Sequence, residues 1–501
     1  MRRLFSLALL LAFCQTMLSQ EQVTVEISTD RLKKDVFFLA SDSLEGRKFP
    51  GMGRKIAANY IANEFQKYGL KPIDNDTESY YQPMPVTHFD VGYTLLTAGE
   101  QPYPSGFRYS FASSKPYADS SELPIRYWGA SQPSTQNIGD TIVHIYRNDI
   151  DEAISSINEI KQNSNAEFFA ISLPKRKSQR IIHHEWSSVG YLYPNSMIDN
   201  RFNSGSWLYD YIDDIQGDVK LLLFNSKKFK SIYREKLKKA NRIAKRKIRK
   251  GEPALTSSII LNSNFTVTEK QMQDENVIGY IEGTDLKDEV IIVCGHYDHT
   301  GKRGKDIFNG ADDNASGTAG VMELARMCAD AIDNGYEFKR TLVFIAFAAE
   351  ESGLNGSMYY ADNPVFPLNK TALVVNMDMI GRSDKGPEWA GHVNACPVGK
   401  NSRAAKKVLR SIDKQIDDTH FYRRMEFPEN ILWLSGSDHF PFVRKGVPAV
   451  VVSTGMHADY HKPTDTAEKI NFGNMTNILK GLFVLLTEVA NNPVDFPLVG
   501  K

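Results

Sequence analysis

Four near-continuous apolar runs, at 290–294, 342–347, 372–375 and 449–452, restrict the fold of this chain more than any other feature. A strand wetted on one face alternates apolar and polar residues, whereas these runs read as strands covered on both faces. Shorter runs at 259–261 and 277–281 precede them. Between the first and second of the longer runs lies a helical pattern, with Val321, Leu324, Ala325, Cys328 and Ile332 on one face. Strands alternating with helices predict an α/β fold, in which a central, mostly parallel mixed sheet is flanked by helices. In such sheets ligands bind in the crevice beyond the carboxyl ends of the strands.

The residues able to do chemistry collect at those ends. His296 comes just after the first run in VCGHYDHTG, and Asp298 stands two residues on, where it could accept a hydrogen bond from the imidazole and fix its tautomer. NGADDNASGTAG is a glycine-bounded acidic turn that feeds a helix beginning near Ser316, and a carboxylate held in it can bridge two metals. Asp312 and Asp313 alone would also suit the positive end of that helix. FIAFAAEESGLNGS places Glu350 and Glu351 side by side at the end of an apolar strand. Two such carboxylates repel each other and lose hydration unless a cation is present. Metal binding accounts for Glu351 and leaves Glu350 free to take a proton from water. VVNMDMIGR carries Asp378 at the end of its apolar run, and an aspartate buried among Met and Val needs a partner. In DYHKPTDT, His461 precedes a proline turn. Two imidazoles and three carboxylates suit a pair of divalent metals, with Glu350 as the proton carrier of metal-assisted hydrolysis. The mixed nitrogen and oxygen donors favour zinc, and cobalt or manganese also fit.

The remaining sequence surrounds this core. Residues 1–20 read as an export signal, with Arg2 and Arg3 ahead of an apolar stretch at 4–13 and polar residues at 19–22. That stretch is too short to span a bilayer, and no later apolar run reaches that length. The bulky Phe13 before Cys14 argues against lipid attachment. The expectation is an exported protein, periplasmic or extracellular, without a membrane span. The 60 basic and 60 acidic residues cancel, so no global field draws in nucleic acid. Cys294, Cys328 and Cys396 form no disulfide framework, and the first two read as small core residues.

Residues 21–90 read as an N-terminal part of the main domain, helical over 30–70. There RKIAANYIANEFQKYGLKP puts Ala57, Tyr60, Ile61, Phe65 and Tyr68 on one face, Gly69 caps the helix and Pro72 stops it. Residues 91–255 differ, being rich in Ser, Tyr and Asn. Strand-like runs at 141–146 and 219–224 enclose Ile154, Ile157 and Ile160 at helical spacing. This predicts an inserted, smaller α/β module. It ends in SKKFKSIYREKLKKANRIAKRKIRK, where Phe229, Tyr233, Leu237, Ala240 and Ala244 trace one stripe of an amphipathic helix with a solvated basic face. Residues 256–501 hold the candidate site.

Taken together, GHYDH, NGADDNASGTAG, AAEESGLNGS, NMDMIGR, SDHFPF and YHKPTDT resemble, in order, the motifs of the M28 family of zinc peptidases. LASDSLEGR and the helix after it also fit that family, so the resemblance covers about 30–90 and 256–490. The insert is similar, by element order alone, to a protease-associated domain. The resemblance implies the zinc-dependent exopeptidase fold and two Zn2+ per chain. His296 and Asp378 would hold one ion, Glu351 and His461 the other, and Asp313 would bridge them. It further implies Glu350 as general base, a cis Asp313–Asn314 bond, and Tyr460 at a position where some relatives stabilise an oxyanion. Asp438 and His439 of SGSDHFPF would lie nearby without assigned chemistry. No metal-binding or base position departs from the family pattern. The implied activity is that of an aminopeptidase acting on peptides. A single-zinc glutaminyl cyclase and a non-catalytic binding ectodomain are the alternatives, and the complete ligand set argues against both.

Overall fold

In a computed structural model, residues 26–498 are described apart from several segments, the longest being 129–141, 174–190, 193–214, 226–245, 247–255, 383–392 and 413–435. The export signal at 1–20 and most of the basic amphipathic segment lie outside the described residues. Among those described, no helix is long and apolar enough to cross a membrane.

The chain starts with two helices, α1 (Thr29–Leu39) and α2 (Met52–Lys67). Helicity expected across 30–70 is therefore interrupted. The break is a tight turn over Asp42–Arg47, in which Glu45, Gly46 and Arg47 adopt left-handed backbone, with Pro50 shortly after it. Ala57, Ile61 and Phe65 are buried on α2 as the periodicity predicts. Gly69 ends that helix with φ +74°.

The next elements needed here are β1 (Tyr81–Val91), β2 (Tyr117–Trp128), β3 (Ile142–Tyr146), α3 (Ile150–Gln162), β4 (Phe168–Leu173) and β5 (Lys220–Asn225). Strands β2, β3, β4 and β5 pair in that order, all parallel. The buried Ile154, Ile157 and Ile160 of α3 are the helical-spaced isoleucines of the insert.

A single strand, β6 (Thr256–Ile281), joins this part to the rest. Sequence periodicity predicts two short strands here, at 259–261 and 277–281. The polar stretch between them is strand as well, because β1 pairs with it from Val267 to Val277 and β2 pairs with its first half. Backbone pairing supplies there what apolar patterning does not. The strand begins at Thr256, and its first half pairs with β2 of the expected insert.

Strands β7 (Leu286–His296), β8 (Arg340–Phe347), β9 (Thr371–Met377), β10 (Asn394–Val398) and β11 (Ala449–Ser453) complete the sheet. Across it the order is β10-β11-β9-β7-β8-β6. The four inner strands are parallel, and β6 and β10 are antiparallel to their neighbours. The inner runs bury every residue of β8, β9 and β11, as expected of strands covered on both faces. One cover is α4 (Gly317–Asp333) with α7 (Phe472–Asn491), and between these in the chain come α5 (Asn355–Asp362) and α6 (Arg403–Ile412). On α4, Val321, Leu324, Ala325 and Cys328 are buried, but Ile332, in the last turn of the helix, is 40% exposed. Each fully buried Val, Leu or Ile contributes about 1.5–3 kcal/mol, so this core is what holds the strand ends in register.

Candidate metal centre

The inner parallel strands all end on one side, and the site is assembled from the residues at and just beyond those ends. His296 closes β7, and its carbonyl accepts a hydrogen bond from Thr318 Oγ1 at 2.6 Å, which ties it to α4. Its Nε2 lies 3.4 Å from Asp313 Oδ1 and 3.7 Å from Asp378 Oδ1. Asp378 comes directly after β9, and its backbone N–H donates to the Val452 carbonyl at 3.0 Å. These three residues form one group of donors.

A second group comprises Asp313, Glu351, His461 and His299. His461 Nε2 lies 3.0 Å from Asp313 Oδ2 and 3.1 Å from Glu351 Oε2. His299 Nδ1 lies 2.6 Å from Glu351 Oε1 and 3.7 Å from Asp313 Oδ2. Asp313 is thus the residue common to both groups, with one oxygen towards each. The Asp313–Asn314 peptide is cis.

Four tethers hold the loops. The backbone N–H groups of Asp312 and Asp313 both donate to the Asp465 carboxylate, at 3.0 and 3.2 Å. The Asn314 side chain donates to Met377 and accepts from Gly317 and Met379, which fastens the turn to β9. Asp312 accepts from Gly381 at 2.6 Å and faces His457 Nε2 at 3.1 Å. The buried guanidinium of Arg47 donates to the carbonyls of Leu39, Tyr297, Asn309 and Gly310.

Asp298 plays a different part from the one its spacing suggests. Its carboxylate is 3.7 Å from His296 Nδ1, too far to orient the ring, and the nearer group is the Asp298 backbone carbonyl at 3.2 Å. The side chain instead accepts the backbone N–H groups of Glu350 and Glu351, at 3.0 and 3.3 Å. Just before them Ala349 takes a left-handed conformation, φ +53°, which turns the chain sharply after β8 and brings both N–H groups to Asp298. Burial pushes the Asp298 carboxyl up to about 6.

The adjacent glutamates are driven in opposite directions. Burial raises the Glu350 carboxyl well above the usual range, and the neighbouring charges of Glu351 and Asp378 add to this. Burial also opposes the charge on Glu351, but His461 and His299 outweigh it and hold that carboxyl well below the usual range. Glu350 Oε2 is 3.9 Å from His296 Nε2, which puts it on the His296 side. Tyr460 stacks on His461, with ring centroids 3.9 Å apart, and burial raises its hydroxyl far above its ordinary range. Asp438 and His439 are buried, and burial pushes the Asp438 carboxyl up to about 7.

Zinc fits this donor set. His296 Nε2, His299 Nδ1 and Glu351 Oε1 are buried without hydrogen-bond partners, although charged or polar groups converge on each. Buried donors and acceptors left in this state are costly unless something shared satisfies them. The nitrogen and carboxylate mixture is that of a zinc site.

His299, Arg47, Asp465 and His457 are not singled out by the sequence pattern. His299 carries a signal, as the second histidine of HYDH, and Asp465 stands four residues after His461 within the same motif. Arg47 carries none, since nothing in LEGR shows where its side chain goes.

Residues 276–485 match the model of peptidase family M28. A probable zinc metalloprotease of Pyrenophora teres f. teres is 29% identical over 204 residues, covering 35% of this chain and 41% of that protein. The aminopeptidase YwaD of Bacillus subtilis is 29% identical over 212 residues, covering 39% and 40%. The chain therefore spans about two-fifths of the length of these curated relatives. Among solved structures, a zinc aminopeptidase from Bacillus subtilis superposes with a TM-score of 0.59 at 16% identity, over 96% of this chain and 100% of the other. At that identity the likeness establishes the shared fold.

Proposed function

We propose, from the match of residues 276–485 to the model of peptidase family M28, that the chain is an exported di-zinc exopeptidase that removes N-terminal residues from peptides. The observation that carries this reading is the pair of donor groups meeting at Asp313, with the spare carboxylate of Glu350 alongside. His296 and Asp378 would hold one ion, Glu351 and His461 the other, and Asp313 both. Zinc bound there supplies Lewis acidity, which acidifies water and polarises a carbonyl.

The chain's own residues do the rest. Glu350, raised by burial, is suited to accept a proton from water at its carboxylate and deliver it to the departing amine. Asp298 fixes the backbone of Glu350 and Glu351 so that their carboxylates keep separate tasks. The Tyr460 hydroxyl, kept neutral by burial, is suited to donate to a developing oxyanion. Arg2 and Arg3 before the apolar stretch at 4–13 support export to the periplasm or exterior.

The test is Glu350→Gln, which keeps shape and removes the base. Cleavage of free-N-terminal peptides should fall by at least ~100-fold, a general acid–base contribution, with metal content near that of the wild type. Retention of most activity with normal metal content would refute the base assignment. Cyclisation of N-terminal glutamine in place of cleavage would establish the glutaminyl cyclase alternative.

A further inference from the structure

We infer that His299 ligates the metal position shared by Glu351 and His461, closing it with four protein donors, while the His296 and Asp378 position stays open with three. This rests on the di-metal reading above and assigns different tasks to its two positions.

The geometry starts with a short segment. His296 and His299 are separated by only two residues, and the loop between them turns so that each imidazole meets a different oxygen of Asp313. His299 Nδ1, an Asp313 oxygen, a Glu351 oxygen and His461 Nε2 all lie within 4.8 Å of one another. Zinc bond lengths of about 2.0–2.2 Å set tetrahedral donor separations near ~3.4 Å. The His299 and His461 imidazoles lie 3.7 and 3.0 Å from the same Asp313 oxygen, and 2.6 and 3.1 Å from different Glu351 oxygens, close to that value.

Burial supplies a second, independent observation. The His299 ring is inaccessible to solvent, and neither of its nitrogens has a hydrogen-bond partner. Nδ1 and Glu351 Oε1 are only 2.6 Å apart, an ion pair when the ring is protonated and two facing lone pairs when it is neutral. Two lone pairs that approach without bonding each other are satisfied together by a cation between them. The ring is also locked in place. Gly310 has φ +57°, and a Cβ there would lie 2.4 Å from His299 Cγ, so the metal-bearing turn packs directly against the imidazole.

The consequence is asymmetry. One position has two imidazoles and two carboxylates; the other has one imidazole and two carboxylates. Closed four-donor sites are structural in character, and three-donor sites leave a place for water. Glu350 stands on the three-donor side, where a proton must be moved. The closed position should fill first and the open one second.

The experiment loads metal-free full-length protein with Zn2+ in steps and counts imidazoles around the ion by X-ray absorption, together with competition titration of both affinities. At one equivalent the expected count is two imidazoles per zinc, and a count of one overturns the inference. His299→Ala should weaken the tighter step by at least ~100-fold, the upper end of what loss of an outer-shell partner costs. Asp378→Asn should weaken only the looser step. Equal affinities in wild type and His299→Ala, within about twofold, would also overturn it, since even an outer-shell partner is worth more than that. Should His299→Ala not fold, the wild-type imidazole count decides alone. Wild type that binds no zinc at all sinks the di-metal reading itself, an outcome distinct from a first zinc with one imidazole.

Discussion

The half of the centre around His296 and Asp378 stands on strand ends, whereas the half around Glu351, His461 and His299 stands on loops. His296 is the last residue of β7 and Asp378 the first after β9, so the backbone ladder that pairs these two strands also spaces their side chains. Both are buried. The loop half has no ladder beneath it. His461 takes a left-handed conformation, φ +53°, and its side chain is 37% exposed. That half is fixed by hydrogen bonds between side chains and backbone: Asp298 to the glutamate turn, Asp465 to the aspartate turn, Arg47 to the carbonyls of Asn309 and Gly310. A sheet positions ligands with its core, and loops need individually placed polar tethers. Substitutions in those tethers should therefore separate the two halves.

The largest effect should come from Arg47→Met. The change removes donors from four buried carbonyls, three in the loops around the centre and one at the end of α1. A buried acceptor left without its donor costs about 1–3 kcal/mol, and the loss of four is read as a lowered urea midpoint of the metal-free protein. A loss below ~1 kcal/mol would mean that water replaces the guanidinium and that the loops need no strap.

Asp298→Asn should rank second. It keeps the volume but sets an NH2 group against one of two N–H donors. Metal affinity or activity should drop by about 10–100-fold, with the step involving Glu351 more affected than the step involving His296 and Asp378. Equal weakening of both steps would erase the proposed contrast.

A carboxylate outside both halves sets the smallest expected effect. Burial pushes the Asp35 carboxyl up to about 6, opposed by a hydrogen bond from Tyr60 at 2.5 Å. Its unfolded value is near ~3.9. The folded state therefore holds this proton more tightly, and the resulting stability is complete below about pH 4 and lost as pH rises through about 6. Relative to Asp35→Asn, the wild type should lose on the order of 1–2 kcal/mol between about pH 4 and 7. Urea unfolding at both pH values measures this, and parallel pH slopes in the two proteins would show that the carboxyl is not perturbed.

Most of the strand half was legible in the chain. The uninterrupted apolar runs leading to His296 and Asp378 gave both the sheet and the residues on its rim, because burial on two faces leaves a pattern in composition. Glu350 and Glu351 were legible for a related reason: paired acids after an apolar strand require a cation. The hydrogen bonds that Asp298 accepts from the glutamate backbone were not legible, because they depend on the turn at Ala349. The middle of β6 was missed because its pairing partners, β1 and β2, lie far away in sequence.

By itself the sequence determined the α/β class, the parallel inner strands and five metal-capable residues at or near their ends, since these rest on hydrophobic pattern and the cost of burying charge. Only the tertiary structure decided which of those residues face one another, that Asp313 offers an oxygen to each group, and that His299 joins one of them. It also decided that an arginine from the first fifty residues ties down loops some 250 positions away. The directions of such contacts are set by turn geometry and packing, which leave no local periodicity to read.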